Sequence, residues 1–298
     1  MARSSRGNVS WIGLAGLAGL CLLLFGYRLG GPGFWTDESI YAQTAREMAS
    51  GGDWISPTLC GKLYLIKPVL YHWLASASFH LLGENELAGR LPQALAGTFG
   101  VLAVALFAGR FFGKGAGLLA GAALAASPGY AVGSRVAGMD VLLTLGITLS
   151  LCCFFLGYRE PARRRIWFLA SGLFAGIATL AKGPVGAAIP ALVVLVFLIR
   201  RREIRLAVSS PALLGAAAGL LAASLWYVPV WALNGERFTR VFWVENNLAR
   251  ISEPVSDHAG PITYYVPVFF LAFLPWSLPF ALAALLFGFL YQGGAELG

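Results

Sequence analysis

Long apolar stretches separated by short polar interruptions dominate the chain. Those approaching membrane-spanning length cover roughly 11–27, 90–109, 115–132, 139–157, 166–199, 207–229 and 263–290. A hydrocarbon core of about 30 Å takes about 20 helical residues. The fifth stretch is too long for one crossing and is cut by Lys182-Gly183-Pro184, where proline removes a backbone donor and breaks a helix. Splitting it there predicts eight crossings. Two weaker patterns predict helices lying along the membrane. Over Ser39–Ala49, Ile40, Tyr41, Thr44, Ala45 and Met48 share one side, and Glu38, Gln43, Arg46 and Glu47 the other, with Thr36 or Asp37 as N-cap. Lys67–Leu82 makes only about 24 Å of helix, short for a crossing. There His72, Ser76 and His80 recur every fourth position, which predicts an amphipathic helix with a wet stripe and Pro68 in its first turn. A further helix is expected near Glu236–Ile251.

Composition agrees with a membrane setting. The chain has 298 residues, 58% hydrophobic and 12% charged, with a mean hydropathy of +0.71; soluble domains are about 25% charged. The fold class is therefore an all-α polytopic membrane protein. A net charge of +8 raises the question of nucleic acid. The basic residues form short runs between apolar blocks, the pattern of loops facing anionic lipid and not of a nucleic-acid groove. Cys21, Cys152 and Cys153 lie in apolar runs and Cys60 stands alone in a polar one, so no disulfide framework is expected.

Charge also orients the chain. Arg3 and Arg6 precede the first run, and no A-x-A-like site follows it, which predicts an uncleaved first span with a cytoplasmic N-terminus. With eight crossings, Arg110 with Lys114, Arg159 with Arg163–Arg165, and Arg200–Arg202 with Arg205 fall on the side of Arg3 and Arg6, as the positive-inside rule requires. One unbroken 166–199 span would put the last two clusters on opposite sides. The opposite, outer face then receives a first loop of about 28–89 and a later one of about 230–262.

Chemistry-bearing residues collect on that outer face. Asp37 and Glu38 read either as helix-start acids favoured by the dipole or as a general base for an acceptor hydroxyl. Trp35 and Tyr41 suit headgroup depth. Asp140, opening a run after Ser134-Arg135, admits the same two readings. Lys67, Arg90, Arg135, Lys182 and Arg250 run against the positive-inside bias. Each reads as a snorkelling cation or as part of a set that neutralises a phosphate leaving group without a metal. His72 and His80 lie about 12 Å apart along a helix, too far to share one zinc, whose ligands sit about 2 Å from the ion. No metal or cofactor is expected.

Taken in order, Asp37-Glu38, Tyr64, Lys67-Pro68, Arg90 after Gly83-Glu84-Asn85-Glu86, Met139-Asp140, Lys182-Gly183-Pro184, Glu245-Asn246-Asn247-Leu248-Ala249-Arg250, His258 and Tyr264-Tyr265 resemble the GT-C class of lipid-carrier-dependent glycosyltransferases. The nearest branches are the aminoarabinose (lipid A) transferases and the bacterial relatives of protein O-mannosyltransferases. The resemblance implies a GT-C-like helix bundle over 1–298, with juxtamembrane helices in the first periplasmic loop. It implies inverting transfer of a sugar from an undecaprenyl-phosphate-like donor to a lipid A, glycan or protein acceptor, at the periplasmic face of the bacterial inner membrane. Carried across, Asp37 is the acid near the reacting centre, Asp140 the second acid and Lys67 the donor-phosphate contact. Tyr41, Tyr64, Arg90 and Arg250 match cavity-lining positions. The aminoarabinose branch tends to carry Arg, Glu and His where this chain has Ile40, Ile66 and Asn247, which argues against that sugar. Family members continue well past residue 298 with further spans and an outer soluble domain, so a fragment is expected. The rival class is a non-catalytic polyprenyl-lipid binder or flippase-like protein. Such a transporter is expected to place ionisable groups near the bilayer midplane.

Overall fold

The computed structural model describes residues 9–249, 262–279 and 281–283. Helix α1 (Trp11–Cys21) is capped by Ser10, whose Oγ accepts from the Gly13 amide at 3.2 Å, and runs on into a π-helical turn, Leu22–Gly26. Then come α2 (Thr36–Gly51), a hairpin of β1 (Thr58–Leu59) and β2 (Lys62–Leu63), and α3 (Leu70–Leu82). The remainder is helical: α4 (Glu86–Phe112), α5 (Lys114–Ala126), α6 (Pro128–Gly133), α7 (Asp140–Arg159), α8 (Arg164–Lys182), α9 (Val185–Arg201) and α10 (Ser210–Phe238), followed by a π-helical stretch, Thr239–Leu248. Further described helices span Tyr265–Ala272 and Ser277–Ala283.

Four helices among the described residues are long and apolar enough to cross a membrane unaided: α4, α7, Pro161–Lys182 and Ser210–Leu248. Trp11–Gly26 and Lys114–Ala126 are apolar but shorter. The expected run 115–132 is in fact broken at Ser127-Pro128, where α5 ends and α6 begins. The predicted hairpin is present. α8 stops at Lys182, Gly183 turns the chain at φ 95°, and α9 starts after Pro184. Its two arms touch closely, since a Cβ on Gly186 would lie 2.2 Å from the backbone of Ala178.

Backbone contact between small residues also joins α8 to α10. A Cβ on Gly172 would meet the Gly215 carbonyl oxygen at 1.7 Å, and one on Gly176 the Gly219 oxygen at 2.3 Å. Both pairs are spaced by four residues, the small-xxx-small arrangement that replaces the hydrophobic effect where lipid surrounds the helices.

The helices give the bundle two poles. Glu38 bonds both Arg90, near the start of α4, and the Ala137 amide just before α7, while Arg110 and Glu160 pair near the far ends of the same helices. α7, α8 and α9 then alternate in direction. A 20-residue helix such as α7 is about 30 Å long, so one pole carries Asp140, Lys182 and Arg90 and the other carries Arg110, Arg159, Arg164 and Arg201.

Two expectations are corrected. The stripe on α3 does not face water: His72 and Ser76 are fully buried, Ser76 donating to the Ala45 carbonyl at 2.8 Å, and only His80 is exposed. In a bundle whose outer surface is lipid, a polar stripe turns inward; there Ser76 has a hydrogen-bond partner, and the His72 ring is packed among aromatic rings. The loop expected from about 230 is helical, with α10 running to Phe238 across a break at Gly235 (φ 48°, ψ −125°). The expected helix over Glu236–Ile251 is thus its continuation, described as far as Ala249.

Candidate active site

Helix α2 opens with Trp35 as N-cap instead of the expected Thr36 or Asp37, and Asp37 is left exposed in the first turn. The cap is closed by Glu38, whose Oε2 accepts from the Trp35 amide at 3.0 Å. Glu38 is itself almost fully buried, against the expected solvated side of α2. Its Oε1 accepts from Arg90 Nε at 2.8 Å and from the Ala137 amide at 2.7 Å, and its Oε2 also accepts from Arg90 Nη2 at 2.8 Å. Arg90 donates its remaining N–H groups to the carbonyls of Leu29, Pro32 and Gly33 at 2.8–3.0 Å. All five guanidinium donors and all four carboxylate lone-pair positions are therefore in use. Glu38 and Arg90, both expected among the reacting or phosphate-binding groups, have no hydrogen-bonding capacity left for a substrate. Burial pushes the Glu38 pKa up, but Arg90 and the Trp35 and Ala137 amides outweigh it and hold the carboxyl below its ordinary 4.5.

This lock brings the two candidate acids to one pole. It fixes the start of α2 to Ala137, three residues before Asp140. Asp140 is exposed at the first residue of α7 and pairs with Lys182 at the end of α8. One buried apolar cluster lies beneath them, containing Ala42 and Ala45 of α2, Tyr71 of α3, Ala137 and Met139 before α7, and Ala181 of α8, with Tyr41 packed on its edge. Arg135 does not stand free as a phosphate contact. Its Nη1 and Nη2 donate to the Leu24 and Tyr27 carbonyls at 2.8 Å, closing the end of the first helix.

Lys67 sits half-buried between β2 and α3, flanked by Leu65 and Val69. Both anchor a second cluster that includes Leu180, two residues before Lys182, and Phe242. Tyr41 and Tyr64 meet across His72, ring centroids 6.3 and 6.4 Å from the imidazole. Burial lowers the His72 pKa to about 4, against a smaller upward pull from the Tyr41 backbone, so this ring is neutral at physiological pH. The hairpin beside them is tied to α2 by Glu47, whose carboxylate accepts from the Thr58 hydroxyl at 2.6 Å and from the Cys60 and Gly61 amides at 2.6 and 3.2 Å. Cys60 and Gly61 both turn through positive φ, 51° and 72°, and the carboxylate holds that turn. The 245–247 segment approaches the same pole, for a Cβ on Gly183 would lie 3.6 Å from Asn247 Oδ1. Arg250 and His258 fall outside the described residues. Among the described residues no three His, Cys, Asp or Glu side chains gather as a metal site.

The sequence suggested that Glu38 and Arg90 share one face but not that they pair, being 52 positions apart. It named Lys182 only as one cation of five, not as the partner of Asp140. It passed over Glu47, whose hairpin contacts no local pattern announces.

A lipid-embedded helix bundle that gathers two exposed carboxylates, a lysine and tyrosines at one pole, below amphipathic helices on its first long loop, has the GT-C fold of membrane proteins. A family description for dolichyl-phosphate-mannose-protein mannosyltransferases matches residues 66–228, more than half of the chain. The chain belongs to that family. It is 33% identical over 273 residues to the undecaprenyl phosphate-alpha-4-amino-4-deoxy-L-arabinose arabinosyl transferase of Pseudomonas aeruginosa strain UCBPP-PA14, covering 88% of this chain and 49% of that one. The enzyme of the same name from Edwardsiella ictaluri is 32% identical over 286 residues, covering 93% and 51%. Among solved structures, ArnT from Cupriavidus metallidurans bound to undecaprenyl phosphate superposes with a TM-score of 0.81 at 28% identity, over 90% of this chain and 50% of that one. The chain thus spans about half the length of the relatives it matches.

Proposed function

We propose that this chain is the membrane domain, over 1–298, of a longer glycosyltransferase that moves a sugar from a polyprenyl-phosphate carrier to an acceptor. The observation that carries this reading is the Glu38 bridge, which ties the Asp37 turn to the segment leading into Asp140. The likeness to a structure holding undecaprenyl phosphate supports the choice of carrier. The acceptor oxygen attacks the anomeric carbon as its proton passes to the Asp37 carboxylate, and the bond from that carbon to the phosphate oxygen breaks. The electron pair leaves on polyprenyl phosphate, and a single displacement inverts the centre. General bases of this kind contribute about 10²–10⁴-fold.

Lys67 neutralises charge growing on the departing phosphate, a charge-assisted contact that strengthens along the reaction. Asp140, steadied by Lys182, is the second acid facing the acceptor. Tyr41 and Tyr64 line the donor path, and Arg250 is assigned to the donor by the family resemblance. Glu38 and Arg90 serve as positioning residues. The N-terminus lies in the cytoplasm, the chain crosses eight times, and the Asp37 pole faces the periplasm. Acceptors of this class are lipid A, a glycan or a protein. The relatives' names give aminoarabinose as their sugar; because Ile40, Ile66 and Asn247 depart from that branch, the proposal stops at the carrier and the reaction class. In the full-length parent, Asp37→Asn or Lys67→Ala abolishes transfer of a radiolabelled sugar while expression is unchanged. Ordinary turnover in both variants would end the assignment. Carrier binding without release of free polyprenyl phosphate in the unaltered protein would instead favour the non-catalytic reading.

A further inference from the structure

At the arginine-rich pole, about a full span away from Asp140, a cavity of about 500 Å³ opens over α7 between the last turns of α4 and α9. That volume lies within the range of small-ligand pockets. Its walls are aromatic and aliphatic, with Phe107 and Phe111 on α4, Phe155 on α7 and Phe197 on α9, and Cys152 lies at its floor. Among the described residues its one charged lining residue is Arg159, the last residue of α7. Arg159 is exposed and makes no hydrogen bond or ion pair with any described residue, whereas its neighbour Arg110 is neutralised by Glu160 and Arg201 lies over the Phe197 ring at 5.6 Å. The three loops at this pole carry ten cationic side chains against two carboxylates, Glu160 and Glu203.

We propose that this cavity is a binding site for an anionic glycerophospholipid of the surrounding bilayer, one acyl chain lying among the phenylalanines and the headgroup phosphate on Arg159. Three features select that occupant. The cavity is lined by the membrane-length helices α4 and α7 and by α9, and apart from Arg159 its described lining is apolar or a cysteine, a surface that suits an acyl chain. Its charged handle among the described residues is an unneutralised guanidinium at the end of α7, the fork that matches a phosphate. The excess of positive charge around it draws anionic lipid to this surface. The site is independent of the transfer reading, lying at the opposite end of the bundle from the described residues Asp37 and Asp140 assigned to that reaction.

The test is native mass spectrometry and thermal unfolding of the full chain, titrated separately with phosphatidylglycerol, phosphatidylcholine and undecaprenyl phosphate. The expected result is one phosphatidylglycerol retained per chain, raising the unfolding midpoint, with phosphatidylcholine weaker by roughly fivefold, the factor one surface cation supplies. Arg159→Gln, an exposed change, lowers that preference and keeps the unliganded midpoint. Val194→Trp, which fills the cavity, removes retention of either phospholipid. Equal retention of the two phospholipids by the unaltered chain overturns the proposal, as does undiminished selectivity in Arg159→Gln. Preferential retention of undecaprenyl phosphate, lost in the same variants, overturns it in favour of a carrier site. No lipid retained by the unaltered chain overturns it in favour of a cavity covered by protein.

Discussion

Arg90→Leu removes five hydrogen bonds at once, leaving three backbone carbonyls without a donor and the Glu38 carboxylate with only the Trp35 and Ala137 amides and no countercharge. Both members of the pair are almost fully buried, with side chains 4% and 3% exposed. Removing one partner of a buried ion pair costs about 3–5 kcal/mol, which is about two to four decades in the folding equilibrium. Replacing both, in Glu38→Leu with Arg90→Leu, costs less than the two single changes together, because neither charge is then stranded. The expected coupling is about 0.5–3 kcal/mol. The Trp35 and Ala137 amides still lose their acceptor, so the double variant does not regain the parent's stability. The assay is unfolding of the purified chain in mild detergent by tryptophan fluorescence, for the parent, both single variants and the double. Loss of stability in Arg90→Leu confirms a structural lock. An unchanged midpoint with a raised KM for the lipid donor would refute this reasoning and return Arg90 to the donor phosphate.

Three further outcomes follow from the same geometry. Because the folded Glu38 carboxyl is held below its ordinary value of 4.5, its contribution is complete above that pH and is lost as pH falls through the folded pKa. Acid unfolding of the parent therefore includes a component that Glu38→Gln lacks, and identical pH profiles below 4.5 would contradict the assignment. Glu47, its pKa lowered to about 2 although burial opposes the shift, by the Thr58 and Gln43 side chains and the Gly61 and Cys60 amides, keeps its hairpin contacts until strongly acid pH. Glu47→Gln makes the Cys60–Gly61 turn exchange amide hydrogens faster at neutral pH without unfolding the bundle; unchanged exchange there would argue against the clasp. Gly172→Leu or Gly176→Leu forces α8 away from α10, where a single Cβ already has no room. Folded yield in membranes falls, more in either leucine variant than in the matching alanine, and parental yield from both leucine variants would deny the close packing.

Much of the bundle was legible because each long apolar run must satisfy its backbone internally and so forms a helix. The break at Lys182-Gly183-Pro184 was legible for the same reason, and it fixed which loops share a pole. The direction of the α3 stripe was not. Histidine and serine every four residues mark one face, but periodicity alone does not say whether that face meets water or protein. Ser76 turns inward to the Ala45 carbonyl and His72 to the tyrosines. The Glu38–Arg90 lock was equally invisible, since an acid at a helix start reads as a dipole partner until its cation is brought to it across 52 positions. Tyr41 and Tyr64 were named from their order along the chain, and what brings them together across His72, the packing of α3 between α2 and α4, is not spelled out by the chain.

The central claim is that the pole holding Asp37 and Asp140 performs the transfer, and single-turnover release of polyprenyl phosphate tests it most directly. The full-length parent, loaded with donor and mixed with acceptor, should release free carrier in one burst. Asp37→Asn should retain parental donor affinity and release carrier about 10²–10⁴-fold more slowly. Release at the parental rate from Asp37→Asn, with the same inverted product, would contradict the claim.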